Sequence, residues 1–287
     1  MTTGDPKQIV HAPDHPPFLW WRGEVIPWDS ATVHLTMVGW SAISAVFEGI
    51  RAYWNPNDEE LYVFRLADHL KRFAQSQRFM RMNQTYSPAQ LAEAVTALFR
   101  ANGHRTDAYC QPLAYMARTV PGYLAAEGVP SEVFITNRAA PSNLGSGRAS
   151  RCCVSSWTRI SDNSLPPRAK AITNYQNSRY VSTEAQLNGF DAGIILNDQG
   201  KVAEGAYACI FIMRDGVAST PTRTTGILES ITRECLIELL GEMGIPVQER
   251  DVDRTELYVA DEAFLCGTLI ELEAVASVDH YTLGDGG

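Results

Sequence analysis

Apolar positions along the chain fall mainly in short alternating or continuous runs bounded by turn residues, and helical spacing holds over only four stretches. Residues 18–28 (FLWWRGEVIPW) read as two strands around Arg22-Gly23. Residues 42–54 and 61–65, dominated by aromatic and β-branched side chains, read as further strands. Residues 66–82 predict a helix. A second has Ser87 as N-cap, Pro88 in its first position, Leu91, Val95, Leu98 and Phe99 on one face, and Gly103 behind it. Residues 108–118 and 132–137 are strands that complete a mixed first half, and the small, polar, Gly-rich residues 141–150 (PSNLGSGRAS) have the composition of a linker. Beyond it come a strand at 152–157, a helix at 175–187 ended by Asn188-Gly189, and a strand at 192–196. Residues 210–219 form a hairpin around Asp215-Gly216, and a last helix at 230–243 closes at Gly244. Residues 1–17, without periodicity, predict a tail or arm. The fold class is therefore α/β in the mixed (α+β) sense, with subdomains at 1–143 and 151–287 joined by 144–150 and no internal repeat.

Composition narrows the function. With 24 basic and 33 acidic residues, a formal charge of -9, the chain has no general electrostatic pull toward nucleic acid or anionic membranes. The longest apolar run, residues 206–213, is far short of the ~20 residues that cross a bilayer, and the Pro-rich start lacks the apolar core of a signal peptide; a cytoplasmic protein is expected. Six cysteines form no C-x-x-C pair and sit mostly in apolar runs, so they read as buried thiols, with neither a metal site nor a disulfide framework.

Lysine is scarce, and that singles out one residue. Lys7 lies in the tail, Lys71 on a charged helix face and Lys201 after a solvent turn, whereas Lys170 sits between Pro166-Pro167 and Ala171-Ile172, five residues before Tyr175. Desolvation favours the neutral, nucleophilic amine that forms Schiff bases with carbonyls, although position alone fits a surface lysine better. Residues 224–232 lead a hydroxyl-rich loop into a helix start, which suits an anion, or simple N-capping by Ser230. Glu204, just before an apolar strand, brings a carboxylate to the edge of a core, where it needs a partner unless it faces water. Cys266-Gly267-Thr268 is a turn of small residues after a strand. Gly145-Ser146-Gly147 lacks the third glycine and the strand-helix setting of a nucleotide loop.

The order of these pieces resembles the fold-type IV pyridoxal-phosphate enzymes, and most closely the bacterial branched-chain amino acid aminotransferases. The likeness runs through residues 47–53 (FEGIRAY), 69–73 (HLKRF), 154–159 (VSSWTR), Lys170 with Asn174-Tyr175, Glu204-Gly205-Ala206, residues 226–233 (GILESITR) and Cys266-Gly267-Thr268. It implies pyridoxal 5'-phosphate between the two subdomains, the second one, 151–287, carrying most of its contacts. Lys170 would be the catalytic, Schiff-base lysine, Tyr175 the partner of the cofactor's phenolic oxygen, and Glu204 the group that keeps the pyridine nitrogen protonated. Arg72, the N–H groups of Ile231 and Thr232, and Thr268 would hold the phosphate, with Leu228 on the ring. The substrate would meet Phe47, Tyr109, Gln111, Arg138 and the N–H groups of Thr268 and Leu269. Related enzymes complete the pocket with a loop of a second subunit, so a homodimer is expected, with residues 119–128 in that role.

Departures from the family pattern concern the side-chain pocket. Gln111 stands where the family usually has the arginine of its Tyr-x-Arg strand, and the usual Tyr-Gly pair is replaced around Ala42 and Ile43. Cys209 takes an asparagine's place, and Arg138 appears in a stretch the family fills with aromatic and small residues. The family pattern continues past residues 284–287 into a final helix. The reading is transfer of an amino group from a hydrophobic, branched-chain-like L-amino acid to a 2-oxo acid such as 2-oxoglutarate, with Arg138 either buried and recruiting the acidic acceptor or simply facing solvent. The rivals are a D-amino acid or (R)-amine transaminase, an aminodeoxychorismate-lyase-like enzyme of the same fold, and a cofactor-binding relative without turnover.

Overall fold

A computed structural model describes residues 15–38, 43–117 and 131–284. The first half builds one antiparallel sheet from β1 (Phe18–Trp21), β2 (Glu24–Pro27), β3 (Val46–Phe47), β4 (Ile50–Asn55), β5 (Glu60–Val63), β6 (Ala108–Met116) and β7 (Ser131–Ala139), in the order β2-β1-β7-β6-β4-β5 with β3 paired to β6. Helices α1 (Leu66–Phe79) and α2 (Pro88–Asn102) pack against it through Leu70, Phe73, Leu91, Val95 and Leu98. The start of α2 is a full capping box between Ser87 and Gln90, with Pro88 just inside and Gly103 left-handed at the end. Period-2 alternation puts Ala108, Cys110 and Ala114 of β6 in this core and turns Tyr109 and Gln111 to the opposite face; on β7 the same alternation buries Val133 and Ile135 and leaves Arg138 opposite Tyr109.

The second half forms a mixed sheet of β8 (Ala149–Thr158), β9 (Ala192–Leu196), β10 (Val202–Gly205), β11 (Cys209–Arg214), β12 (Val217–Thr220), β13 (Val247–Glu249), β14 (Glu262–Gly267), β15 (Glu271–Val278) and β16 (Tyr281–Thr282). The order is β10-β9-β8-β15-β14-β11-β12-β13, with β16 on β15 and β8 parallel to both β9 and β15. Helices α3 (Asn174–Leu187) and α4 (Ile231–Glu242) accompany it. Asp215 and Gly216 both have positive φ, 51° and 75°, so the turn between β11 and β12 is of the type that matches strand twist.

Three expectations change. The strand expected over 42–54 is two strands broken at Glu48-Gly49: Glu48 turns into the interior, and at Gly49 a Cβ would lie 1.8 Å from the Tyr109 hydroxyl. The helix expected to Met82 stops at Phe79, because Arg81 adopts a left-handed backbone (φ 53°) that returns Met82 to the core. The Gly-rich linker begins as a pinned segment, since Glu271 accepts from Ser142 Oγ (2.9 Å), the Asn143 N–H (2.5 Å) and Tyr53 Oη (2.8 Å). The expected tail and the 119–128 loop lie largely or wholly outside the described residues, as does Ala42. All six cysteines are free, five buried and Cys235 half-buried, and the described residues contain no His/Cys/Asp/Glu cluster fit for a metal.

Candidate active site

A cleft of about 390 Å³ opens between the two sheets. Lys170 enters it from a segment that follows the linker yet is clamped to the first half: its N–H donates to Ser76 Oγ on α1 (3.0 Å), its carbonyl accepts from the Phe47 N–H on β3 (2.9 Å), and Ala169 and Ala171 sit in the first core. With the backbone held on both sides, the side chain has one direction left. Lys170 Nζ donates to Tyr175 Oη (2.5 Å) and lies 4.7 Å from the Phe47 ring centre, so the amine is framed by aromatic walls. Asn174 fixes the turn into α3 by donating to the Pro166 and Ala169 carbonyls, both at 2.9 Å, which sets Tyr175 in the first turn.

Across the cleft, β10 delivers Glu204, 6% exposed. Its Oε1 pairs with Arg159 Nη2 (2.8 Å) and its Oε2 accepts the Leu228 N–H (3.0 Å). Burial pushes its pKa upward, against the pull of Arg159, the Leu228 N–H and Lys170. Arg159 also donates to the Gly226 carbonyl (2.9 Å), tying Glu204 to the 226–230 loop that leads into α4. Ser230 caps that helix by accepting from the Arg233 N–H, which leaves the N–H groups of the first turn, Ile231 and Thr232, unbonded within the helix.

Arg72 belongs to a buried triad. Glu48 accepts from Arg72 Nε (2.8 Å) and Nη2 (2.7 Å) and faces His69 Nδ1 (2.8 Å), while Arg72 Nη1 donates to the Glu229 carbonyl (2.8 Å). Burial would raise Glu48, yet Arg72 and His69 outweigh it and bring its pKa down to about 2. The arginine is thereby oriented with N–H groups to spare toward the cleft.

The turn at Thr268-Leu269 is held from behind. Arg51, 2% exposed, donates to the carbonyls of Leu269 (2.6 Å), Thr268 (3.2 Å), Ala140 (2.6 Å) and Pro141 (3.2 Å) and lies 3.5 Å from Glu271. In a trans peptide the N–H lies opposite the C=O, so holding the Thr268 carbonyl on Arg51 turns the Leu269 N–H away from it. Tyr109 lies nearby; burial raises its pKa further above the usual phenol value, so its hydroxyl stays a donor.

Of the residues singled out in the sequence, Phe47, Arg72, Tyr109, Gln111, Arg138, Lys170, Tyr175, Glu204, Leu228, Thr268 and Leu269 all line this cleft. Ile231 and Thr232 do not line it with their side chains; only the preceding Ser230 does. Arg138 is exposed rather than buried: its guanidinium carbon sits 5.4 Å over the Tyr109 ring at the cleft wall, because β7 offers no acidic partner there. Arg159, Glu48 and Arg51 carry no individual role in the sequence reading, and each reveals its purpose only with a partner 21 or more residues away.

The Amino-transferase class IV family profile matches residues 45–278. The chain belongs to the class IV aminotransferases. Among relatives of this class IV aminotransferase, a probable branched-chain-amino-acid aminotransferase of Aquifex aeolicus is 37% identical over 270 residues, covering 94% of this chain and 86% of the relative. A crystal structure of branched-chain amino acid aminotransferase from Thermobaculum terrenum in PLP-form superposes with a TM-score of 0.90 at 47% identity, covering 94% of this chain and 88% of that one. The branched-chain aminotransferase of the thermophilic archaeon Thermoproteus uzoniensis, crystallised with norvaline, gives 0.87 at 38% identity, over 95% of this chain and 90% of that one.

Proposed function

We propose that this protein transfers the amino group of hydrophobic, branched-chain L-amino acids to a 2-oxo acid such as 2-oxoglutarate, with pyridoxal 5'-phosphate held in the cleft. The observation that carries this is the pairing, in one cleft, of the Lys170 amine hydrogen-bonded to Tyr175 with the buried Glu204–Arg159 pair on the far side. The donor set suits the cofactor at each end: an amine for its aldehyde, a carboxylate for its ring nitrogen, and for its phosphate Arg72, Thr268 and the free N–H groups of the α4 first turn. Leu228 offers an apolar contact to the ring.

When bound, pyridoxal phosphate supplies the electron sink that makes an amino acid's α-hydrogen acidic. Lys170 is the base that takes that proton and returns it, and Tyr175 steers the amine by its hydrogen bond. Arg159 and the Leu228 N–H oppose the upward push of burial on Glu204, favouring the carboxylate form that can hold a proton on a ring nitrogen. Tyr109 and the N–H groups of Thr268 and Leu269 bind the α-carboxylate, on the turn that Arg51 fixes, while Phe47, Gln111 and Arg138 shape the side-chain pocket.

Homodimer formation agrees with an apolar depression of about 450 Å³ on the first sheet, flanked by the half-exposed Val33, Val38 and Ile172. A cytoplasmic setting agrees with six free thiols and with the absence, among the described residues, of any helix long and apolar enough to cross a membrane. Borohydride reduction and peptide mapping test the assignment: the pyridoxyl label is expected on Lys170, and a label on Lys7, Lys71 or Lys201 with Lys170 unmodified would overturn it. A panel of amino donors tests the substrate. Bleaching of the cofactor's absorbance is expected with L-leucine, L-isoleucine or L-valine, and a preference for D-amino acids or bare amines would refute the class.

A further inference from the structure

Outside the cleft, behind the wall formed by Arg72 and Glu229, lies a second depression of about 530 Å³. Arg78, Arg81 and Arg168 line it together with an edge of Arg72 and the half-exposed ring of Phe79. In a chain of net charge -9 this is a local concentration of positive charge. Arg168 is paired with Asp162 (3.1 Å) and Glu229 (3.0 Å), whereas the side chains of Arg78 and Arg81 make no ion pair or hydrogen bond among the described residues. Their placement is built in. Arg81 takes a left-handed backbone, uncommon for a residue with a side chain, locked by its N–H to the Arg78 carbonyl (3.0 Å) and by Met82 N–H to Gln77 (3.0 Å). That reversal brings two arginines three positions apart to one pocket at the end of α1.

We propose that this depression binds a small anion carrying two or more phosphate or carboxylate groups, and that the anion acts on the neighbouring cleft through Glu229. Guanidinium groups converge in a fork geometry suited to such oxygens, and Phe79 offers an apolar face to the rest of the ligand. The link is short. The Glu229 side chain accepts from Arg168 outside while its carbonyl accepts from Arg72 inside, and its neighbours Leu228 and Ser230 both line the cleft. An anion that engages Arg168 competes with the Glu229 carboxylate and displaces the segment on which the cleft's phosphate cup depends; this second part rests on the reading of that cup given above.

Pyrophosphate and citrate are the probes, titrated by calorimetry into the cofactor-loaded protein. Saturable binding is expected with at least one, pyrophosphate alone indicating a phosphorylated ligand and citrate alone a polycarboxylate. Its affinity should fall tenfold or more in R78A/R81A, since each lost charge-assisted contact is worth about that factor or more. Two exposed substitutions leave the core intact, and a thermal melt checks folding. Glu229→Gln should keep anion binding but change the rate at which cofactor is released when the anion is added, read from absorbance whether or not the enzyme turns over. No saturable binding of either probe, or binding indifferent to R78A/R81A, would overturn the site. Anion binding that leaves cofactor release unchanged in the unsubstituted protein would overturn the coupling.

Discussion

Arg138→Ala should separate the two halves of the reaction. Among the described cations of the cleft, Arg72 is tied to Glu48, Arg159 to Glu204, and Lys170 to Tyr175, while the Arg138 guanidinium meets only the Ala139 carbonyl (3.3 Å) and the Tyr109 ring. It is thus the positive group free to meet the distal carboxylate of 2-oxoglutarate. A shielded charge-assisted contact is worth ~1.5 to 3 kcal/mol, and the exposure of Arg138 lowers this to about 1 to 1.5 kcal/mol, roughly a five- to tenfold loss in kcat/KM for the acidic acceptor. A branched-chain 2-oxo acid has no distal carboxylate and should lose little. Stopped-flow half-reactions, following the cofactor's absorbance as each 2-oxo acid reacts, give both numbers from one preparation, and Arg138→Lys should recover part of the loss. An equal loss for both acceptors, or none for 2-oxoglutarate, would remove Arg138 from acceptor recognition and with it the argument from unpaired charge.

Glu204→Gln should retain cofactor but slow α-proton abstraction ~10²-fold or more, because an amide cannot balance charge on a ring nitrogen; unchanged single-turnover rates would take Glu204 out of the chemistry. Arg72→Ala should weaken cofactor affinity about tenfold to a hundredfold, measured by equilibrium dialysis, whereas Arg148→Ala, whose side chain is 66% exposed, should not; equal retention in both would contradict the phosphate cup. Acid titration tests the Glu48 triad. Because Glu48 falls from an ordinary value near 4.5 to about 2 on folding, its contribution is fully present above pH 4.5 and lost as pH drops toward 2. That gap is worth ~3 kcal/mol, and denaturant melts should show Glu48→Gln with a visibly flatter stability profile between those pH values than the parent.

What the sequence discloses and what it hides divide along a physical line. Lys170 is legible because its uniqueness is local: four lysines, three in solvated surroundings, one between prolines and an apolar run. The α2 capping box and the Asp215-Gly216 hairpin are legible for the same reason, since their hydrogen bonds close within a few residues. The interruption at Glu48-Gly49 is not, because nothing in an apolar β-branched run says that one carboxylate will find Arg72 and His69 on a helix 21 to 24 residues on, or that Gly49 makes room for Tyr109. Arg51 and Arg159 are the strongest cases. A buried guanidinium is tolerable only with partners, and theirs lie up to 218 and 67 residues away, so each reads in sequence as an ordinary arginine beside a strand. Yet these two hold the groups on which the proposed function rests: Arg159 pairs with Glu204 and opposes the effect of its burial, and Arg51 holds the Thr268-Leu269 turn against the start of the linker. The residues proposed to do chemistry carry a signature of residue type, whereas those that aim them are defined by the fold alone. Substitutions at the second kind should therefore register first as changes in KM and cofactor retention and only then as changes in rate.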